Sequence, residues 1–249
     1  MLVLALDSST SVVTVAVARA GGPAGPESTG PGPGAGREVL AEISVLSRGA
    51  SETLLPAAHA ALSLAGTDLG EVERIVVGVG PGTFTGIRIA LAAARALALA
   101  VNVALSKNST LDALAAPALA TALANAEEPG ILAVLDAKRR QVFARCFASD
   151  GSCGGILCVA PVELAARLSE KASPEKRMLV VGDGAVRYRE ELSGLGRIPA
   201  DASPLHRVTA AGHVLSADLT PVPAREVVPL YVREPDAEVR RDLNPWSSA

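Results

Sequence analysis

The sequence predicts an α/β protein made of two related domains, each a mixed β-sheet flanked by helices. Three observations carry this. Ile75-Val76-Val77 runs into Gly80-Pro81-Gly82-Thr83-Phe84-Thr85-Gly86 and then into the apolar stretch from Ile87 to Val101, which reads as strand, tight turn, helix. A pair of β-prone runs around a polar turn opens each half, with an Asp after the first run both times. The order of three strands, helix, strand, helix implies a mixed sheet covered by helices. A chain of 249 residues can bury two cores of ordinary size.

Taken in order, Leu2 to Leu6 and Val12 to Ala18 form a hairpin around Asp7-Ser8-Ser9-Thr10-Ser11, whose side chains favour turns. Gly21 to Gly36 is Gly/Pro/Ala-rich with Glu27 as its single charge, and is expected to be a flexible loop. Glu38 to Leu46 alternates weakly as a third strand. Ser51 and Glu52 begin a helix in which Leu54, Leu55, Ala58 and Leu62 recur at helical spacing, and Gly66 ends it. After the strand Val72 to Val79 and the helix to Val101, the first domain is expected to close at residue 103. A second, over 104–234, starts with a helix from Leu111 to Ala124. The hairpin Ile131 to Leu135 and Gln141 to Phe147 follows, turning at Asp136 to Arg140. Further elements are a helix from Val162 to Leu168, a strand from Met178 to Val181, helices near 185–192 and 208–215, and a loose tail over 235–249.

Composition excludes several classes. Aromatics make up 2% of residues, the formal charge is -3 and the isoelectric point is about 5.7. Base-stacking platforms are therefore scarce and no global basic field draws in nucleic acid, so any RNA contact has to be local. Cys146, Cys153 and Cys158 lack C-x-x-C spacing and suit a reducing compartment, with zinc not expected. The N-terminus lacks a basic region and meets Asp7 early, and Arg95 interrupts the longest apolar helix, so a cytoplasmic protein without a membrane span is expected. That helix has only Arg88 and Arg95 as charges, seven residues apart on one face. A helix apolar around most of its circumference needs cover on most sides. Beyond its own sheet, another domain or another protein must supply it.

Asp7-Ser8-Ser9-Thr10, the string Gly80-Pro81-Gly82-Thr83-Phe84-Thr85-Gly86-Ile87-Arg88, the strand Leu132 to Lys138 and the ending Leu230-Tyr231-Val232-Arg233 together resemble the TsaB family of tRNA threonylcarbamoyladenosine biosynthesis proteins over nearly the whole chain. The insertion over 21–36 is the main departure. The resemblance implies two actin-like (ribonuclease H-like) domains and an accessory, non-catalytic role. Such a protein binds and activates a TsaD-like catalytic subunit, together with a TsaE-like ATPase, in N6-threonylcarbamoyladenosine synthesis at tRNA position 37. It also implies a homodimer through the same helices, tRNA contact at most indirectly, and no cofactor. The paired helices of the first domain then form the partner contact, assigned to Leu55, Ala58, Leu62, Phe84, Ile89, Ala92 and Ala93.

Asp7, Ser8, Ser9 and Thr10 have the residue types with which an actin-like phosphotransferase holds hydrated magnesium and phosphate. The same residues also simply close tight turns. The second hairpin tips the balance: a phosphate loop there needs glycine, yet Lys138, Arg139 and Arg140 follow Asp136, so Asp7 to Thr10 read as a vestigial phosphate site. Gly182-Asp183-Gly184 reads as turn chemistry. The metal-binding histidine pair of the family's catalytic relative has no counterpart in Lys107 to Asp112. His59, His206 and His213 are scattered, so no metal is expected, and the absence of H-E-x-x-H removes a zinc peptidase. Gly82 and Gly86 are read as packing glycines that let a helix approach its neighbour. The competing function is a small-molecule kinase of the actin-like superfamily with Asp7 on magnesium. A direct RNA-binding module has only Lys138, Arg139 and Arg140 in its favour.

Overall fold

The structure is a computed structural model and describes residues 1–21, 36–47, 49–124, 130–148, 152–169 and 178–233. Most of the expected loop over 21–36 and all of the tail over 235–249 lie outside the described residues. The first half contains β1 (Leu2–Asp7), β2 (Val12–Ala20), β3 (Arg37–Leu46), α1 (Ala50–Leu64), β4 (Arg74–Gly78), α2 (Phe84–Val101) and β5 (Ala104–Asn108). The second contains α3 (Thr110–Ala124), β6 (Ile131–Lys138), β7 (Gln141–Phe147), β8 (Leu157–Val159), α4 (Pro161–Ser169), β9 (Met178–Val181), α5 (Asp183–Arg187), α6 (Arg189–Leu192), β10 (Gly196–Arg197) and α7 (Ala210–Ser216).

The strands form two five-stranded sheets, ordered β3-β2-β1-β4-β5 and β10-β9-β6-β7-β8. In the first sheet β1 and β2 pair antiparallel, as do β2 and β3, while β1 with β4 and β4 with β5 run parallel. The second repeats that pattern with β6 in the place of β1. The echo between the two hairpins is thus a repeated sheet topology.

Each sheet buries both faces. One face of the first packs Leu4, Leu6, Val15 and Val17 against Leu54, Ala58 and Ala61 of α1 and Ile87, Ala90, Leu91 and Ala94 of α2. The opposite face, with Val3, Ala5, Ala16 and Val76, is covered by Ala210, Val214 and Ala217 from the chain's far end. The second sheet takes Leu111, Leu114 and Ala118 of α3 on one face and Leu164 of α4, Ala185 and Leu192 on the other. Helices α3 and α7 pack against each other between the sheets, close enough that a Cβ at Gly212 would lie 2.1 Å from the carbonyl oxygen of Ala113. Both are short of large side chains where they meet, which permits this approach.

One expectation is corrected here. A boundary at residue 103 assigns 104–108 to the second half, yet this segment is β5 and pairs in parallel with β4. Its sequence, Ala-Leu-Ser-Lys-Asn, lacks the β-branched and aromatic residues that mark strands, so the pairing rests on neighbours and not on propensity. The boundary also fails at α7, which begins by donating the Ala210 N–H to Thr14 Oγ1 at 2.8 Å and the Ala211 N–H to Glu42 Oε1 at 2.8 Å. Arg37 further donates to the Val214 carbonyl.

By length and composition α2 is the one helix among the described residues able to cross a membrane, but it packs on the first sheet. It ends at Asn102, which adopts the left-handed conformation (φ 53°) that asparagine tolerates at a helix C-terminus. Cys146, Cys153 and Cys158 form no disulfide among the described residues.

Candidate functional site

Strand β1 ends at Asp7, which lies buried beneath the turn that follows it. Gly78, at the end of β4, makes room for it: a Cβ there would lie 2.3 Å from Asp7 Oδ2. That oxygen accepts a hydrogen bond from His213 Nε2 at 2.6 Å and one from Thr110 Oγ1 at 3.3 Å, and Oδ1 accepts the Ser9 N–H. His213 Nδ1 lies 3.2 Å from Asn108 Nδ2, which also donates to Ser216 Oγ at 2.7 Å. Asp7 and His213 are both fully enclosed, with side-chain exposures of 2% and 0%. Burial pushes the Asp7 carboxyl up, but the hydrogen bond from His213, its charge when protonated, and the Ser9 donors outweigh this, and the net direction is down.

A carboxyl lowered on folding binds its proton less tightly in the native state than in the unfolded chain. Its stabilisation is therefore present above the unfolded value, about 3.9, and is lost as pH falls through the lower native value. Urea titrations should show the Asp7→Asn variant losing less stability than the parent between about pH 4 and pH 2.

The remainder of the turn is consumed in the same way. Ser8 Oγ donates to the Gly86 carbonyl at 2.8 Å, Ser9 Oγ lies 2.9 Å from Thr110 Oγ1, and the Ser9 carbonyl accepts the Thr83 N–H at 2.6 Å. Ser8 and Ser9 are buried. Thr10 Oγ1 accepts from the Val12 N–H at 3.1 Å. The residues expected to be a vestigial phosphate loop come together, with the Ser8 and Ser9 hydroxyls bonded within the protein, and the turn lines a cavity of about 380 Å³ with Asp136, Lys138 and Asp183 on its other side. Gly82 and Gly86 explain the closeness, and the expected role is corrected: a Cβ at Gly82 would meet the Ser9 carbonyl oxygen at 2.3 Å, and one at Gly86 the Ser8 carbonyl oxygen at 1.9 Å. The glycines admit the Asp7 turn and not a neighbouring helix.

Across the cleft, Asp136 carries its own counter-charges, with Lys138 Nζ at 2.8 Å and Arg187 Nη1 at 3.4 Å from Oδ2. Lys138, Arg139 and Arg140 turn the hairpin with φ of 61°, 52° and 59°, a left-handed path usually left to glycine or asparagine. The Asp183 carboxyl accepts the Asp136 N–H at 3.0 Å; burial foremost, and the Asp136 charge, push it up against that bond. Gly182 (φ 111°) abuts the Val134 carbonyl, where a Cβ would lie 2.0 Å from its oxygen, so the Gly-Asp-Gly turn serves packing. Among the described residues no group of three or more His, Cys, Asp or Glu side chains could hold a metal ion.

The second candidate surface is the outer face of α1 and α2. Leu55, Phe84 and Ala92 are exposed, and Ile89 and Ala93 are half-buried. Ala58 and Leu62 do not reach the surface: at 4% and 7% exposure they belong to the core under α1. They form the floor of a groove of about 500 Å³ beside α1, with Leu55, His59 and Leu97 also lining it. Leu64 and Leu99, which helical spacing alone did not single out, are the most open at 72% and 84%. Part of the cover that α2 requires comes from its own chain. Residues 222–233 run back across it, with Val222 bridged to Leu105, Arg95 Nη2 on the Val227 carbonyl at 2.8 Å, and the Leu230 N–H on the Val79 carbonyl at 2.8 Å. Arg88 Nε donates to the Tyr231 hydroxyl at 3.0 Å. The two arginines of the polar stripe thus hold the C-terminal strap.

Sequence inspection missed His213 and Asn108 as partners of Asp7. Nothing local marks them, because 206 residues separate Asp7 from His213.

With two sheets of like topology facing a cleft, hairpin turns at its floor, the chain has the actin-like fold. The structure of YeaZ from Pseudomonas aeruginosa matches it with a TM-score of 0.65 and 24% identity, covering 93% of this chain and 99% of that one. A second structure, described as an uncharacterized protein with similarity to peptidase YEAZ from Pseudomonas aeruginosa, matches with a TM-score of 0.67 and 25% identity over the same shares. Uncharacterized proteins of Mycobacterium tuberculosis H37Rv and Mycobacterium bovis are each 30% identical over 237 residues, 95% of this chain and 93% of theirs. The profile described as TsaD, tRNA N6-adenosine threonylcarbamoyltransferase, matches residues 43–152. The chain belongs to one family with these mycobacterial proteins, its actin-like fold is that of the YeaZ structures, and over residues 43–152 it is similar to the TsaD family of tRNA modification.

Proposed function

We propose that the chain is a non-catalytic subunit of the tRNA N6-threonylcarbamoyladenosine machinery, which binds and activates a TsaD-like catalytic subunit through the outer face of α1 and α2. The observation that carries this reading is the set of large apolar side chains left exposed on these helices after folding, Leu55 and Leu64 on α1 and Phe84 and Leu99 on α2. Soluble monomers seldom keep a large contiguous apolar patch open. The reading puts the protein in the cytoplasm, has a TsaE-like ATPase join the assembled pair, and lets two copies meet through the same face when the partner is absent. A kinase would need Asp7 for a cation, and His213 and Thr110 already take that carboxylate, which favours the accessory role.

Coexpression with the catalytic subunit followed by size exclusion and titration tests this. Leu55→Glu and Ala92→Glu each place a charge in the contact without entering the core, and each should weaken association at least about tenfold with an unchanged melting curve. Full retention of binding by both folded variants refutes the assignment. The kinase reading predicts tight ATP–magnesium binding and turnover by the protein alone, where the subunit should give little of either.

A further inference from the structure

The geometry points to a contact between copies of this chain that is distinct from the outer face of α1 and α2: residues 42–46 of the edge strand β3 pair antiparallel with the same residues of a second copy, about a two-fold axis at Ser44. The outer strands of the two sheets are β3 and β5, β10 and β8. β10 has two residues and β8 three, too short to template another chain, and β5 is bridged at Leu105 by Val222 of the strap. β3 instead runs for ten residues, none of them buried, and no strand among the described residues pairs with its outer side.

The two halves of this strand differ. Arg37, Glu38 and the bulge opposite Val17 and Ala18 guard its beginning, as charges and bulges commonly blunt a sheet edge. Ile43 to Leu46 carries no charge, proline or bulge, and Val45 and Leu46 are 38% and 81% exposed. The ladder fixes which backbone groups are open there. The Ser47 N–H donates to the opposite Ser11 carbonyl at 3.1 Å, and bonded pairs alternate along antiparallel strands. Ile43 and Val45 therefore bond to β2, while Glu42, Ser44 and Leu46 turn their N–H and C=O groups outward. The side chains alternate too: Ile43 packs on the core beneath α1 and Val45 lies opposite Val13 of that core, whereas Ser44 Oγ meets Thr14 Oγ1 at 2.9 Å on the α7 side.

A second copy is the occupant because this stretch complements itself. With the axis at Ser44, Ile43 faces Val45 of the second copy and Val45 faces its Ile43, at the non-bonded positions where opposing side chains come closest. Glu42 meets Leu46 of the second copy, and the outward groups of Glu42, Ser44 and Leu46 find partners. Other registers are repelled by charge. An axis at Glu42 sets that carboxylate against itself, and an axis at Leu40 sets Glu38 against Glu42. A two-fold contact uses the same patch on both copies, so it saturates at two. The contact does not rest on the partner-binding reading, because neither Leu55 nor Ala92 belongs to β3.

The test uses the full chain carrying Leu55→Glu and Ala92→Glu, so that the helical face cannot join copies, at about 5 and about 500 µM. Sedimentation velocity should show monomer at the lower concentration and dimer at the higher. Amide exchange at Ser44 and Leu46 should slow as the dimer forms, while Ile43 and Val45, bonded to β2 throughout, exchange slowly at both concentrations. In the same background Leu46→Glu sets like charges beside Glu42 of the other copy, twice by symmetry, and should weaken the dimer at least about fivefold. Leu46→Lys sets opposite charges there and should hold or tighten it. Leu46 is exposed, so neither change enters the core, and melting curves check this. The proposal is overturned if the chain stays monomeric at the higher concentration or if both charges weaken the dimer alike. Slow exchange of the Ser44 and Leu46 amides at both concentrations also overturns it, by showing that one chain covers its own edge. In the otherwise unchanged chain Leu46→Glu should still bind the catalytic subunit, so the two contacts stand or fail separately.

Discussion

His213→Ala should cost about 3–5 kcal/mol of folding stability, the range for removing one partner of a buried pair and leaving the other's charge uncompensated. The loss has three parts. Asp7, enclosed beneath the turn, would keep its carboxylate without its closest donor; Asn108 would lose a neighbour; and the gap left by the imidazole would separate α7 from the first sheet. Because the two groups act together, Asp7→Asn in the same background should add much less than its own separate cost. Urea unfolding of the two single variants and the double variant measures this. Costs below about 0.5 kcal/mol, or simple additivity, would contradict a coupled pair.

Gly86→Ala should destabilise the protein by at least about 2 kcal/mol, against what helix propensity alone predicts. In a free helix the change gains about 1 kcal/mol, because alanine loses less backbone entropy. Here the added methyl would lie 1.9 Å from the Ser8 carbonyl oxygen and 2.5 Å from Thr83 Oγ1, and the backbone of the turn has no softer position to move to while Ser8 Oγ is bonded to the Gly86 carbonyl. Overpacking against side chains costs about 1–3 kcal/mol, and rigid backbone raises this. Calorimetry of the variant decides the sign, and a raised melting temperature would show that the turn can yield.

What the sequence made legible follows from periodicity. The hairpins, α2 and the order of strands and helices stand out because apolar spacing and glycine-rich turns are local signals. The glycine-rich string also led to the family. Strand β5 stayed hidden because Ser106 and Asn108 are buried polar residues whose partners, the Thr220 carbonyl and Ser216, lie over a hundred residues away. Helical spacing correctly brought Leu55 and Leu62 to one helix but could not tell which of them faces the sheet, since α1 is apolar on both sides. The Asp7 turn was recognised by its residue types, whereas its closure depended on His213, whose surroundings of alanine and glycine carry no hint of a carboxylate.

The strap and α7 give the first sheet both of its late coverings from beyond residue 209. Chains emerging from the ribosome usually finish their leading portion first. This one cannot. Until residues 210–217 have been synthesised, the opposite side of β1 and β2 stands bare and Asp7 lacks its imidazole, so the sheet begun at Leu2 waits for them. Any message cut short before that point yields a half-clothed sheet, a target for chaperones and proteases and not a working module.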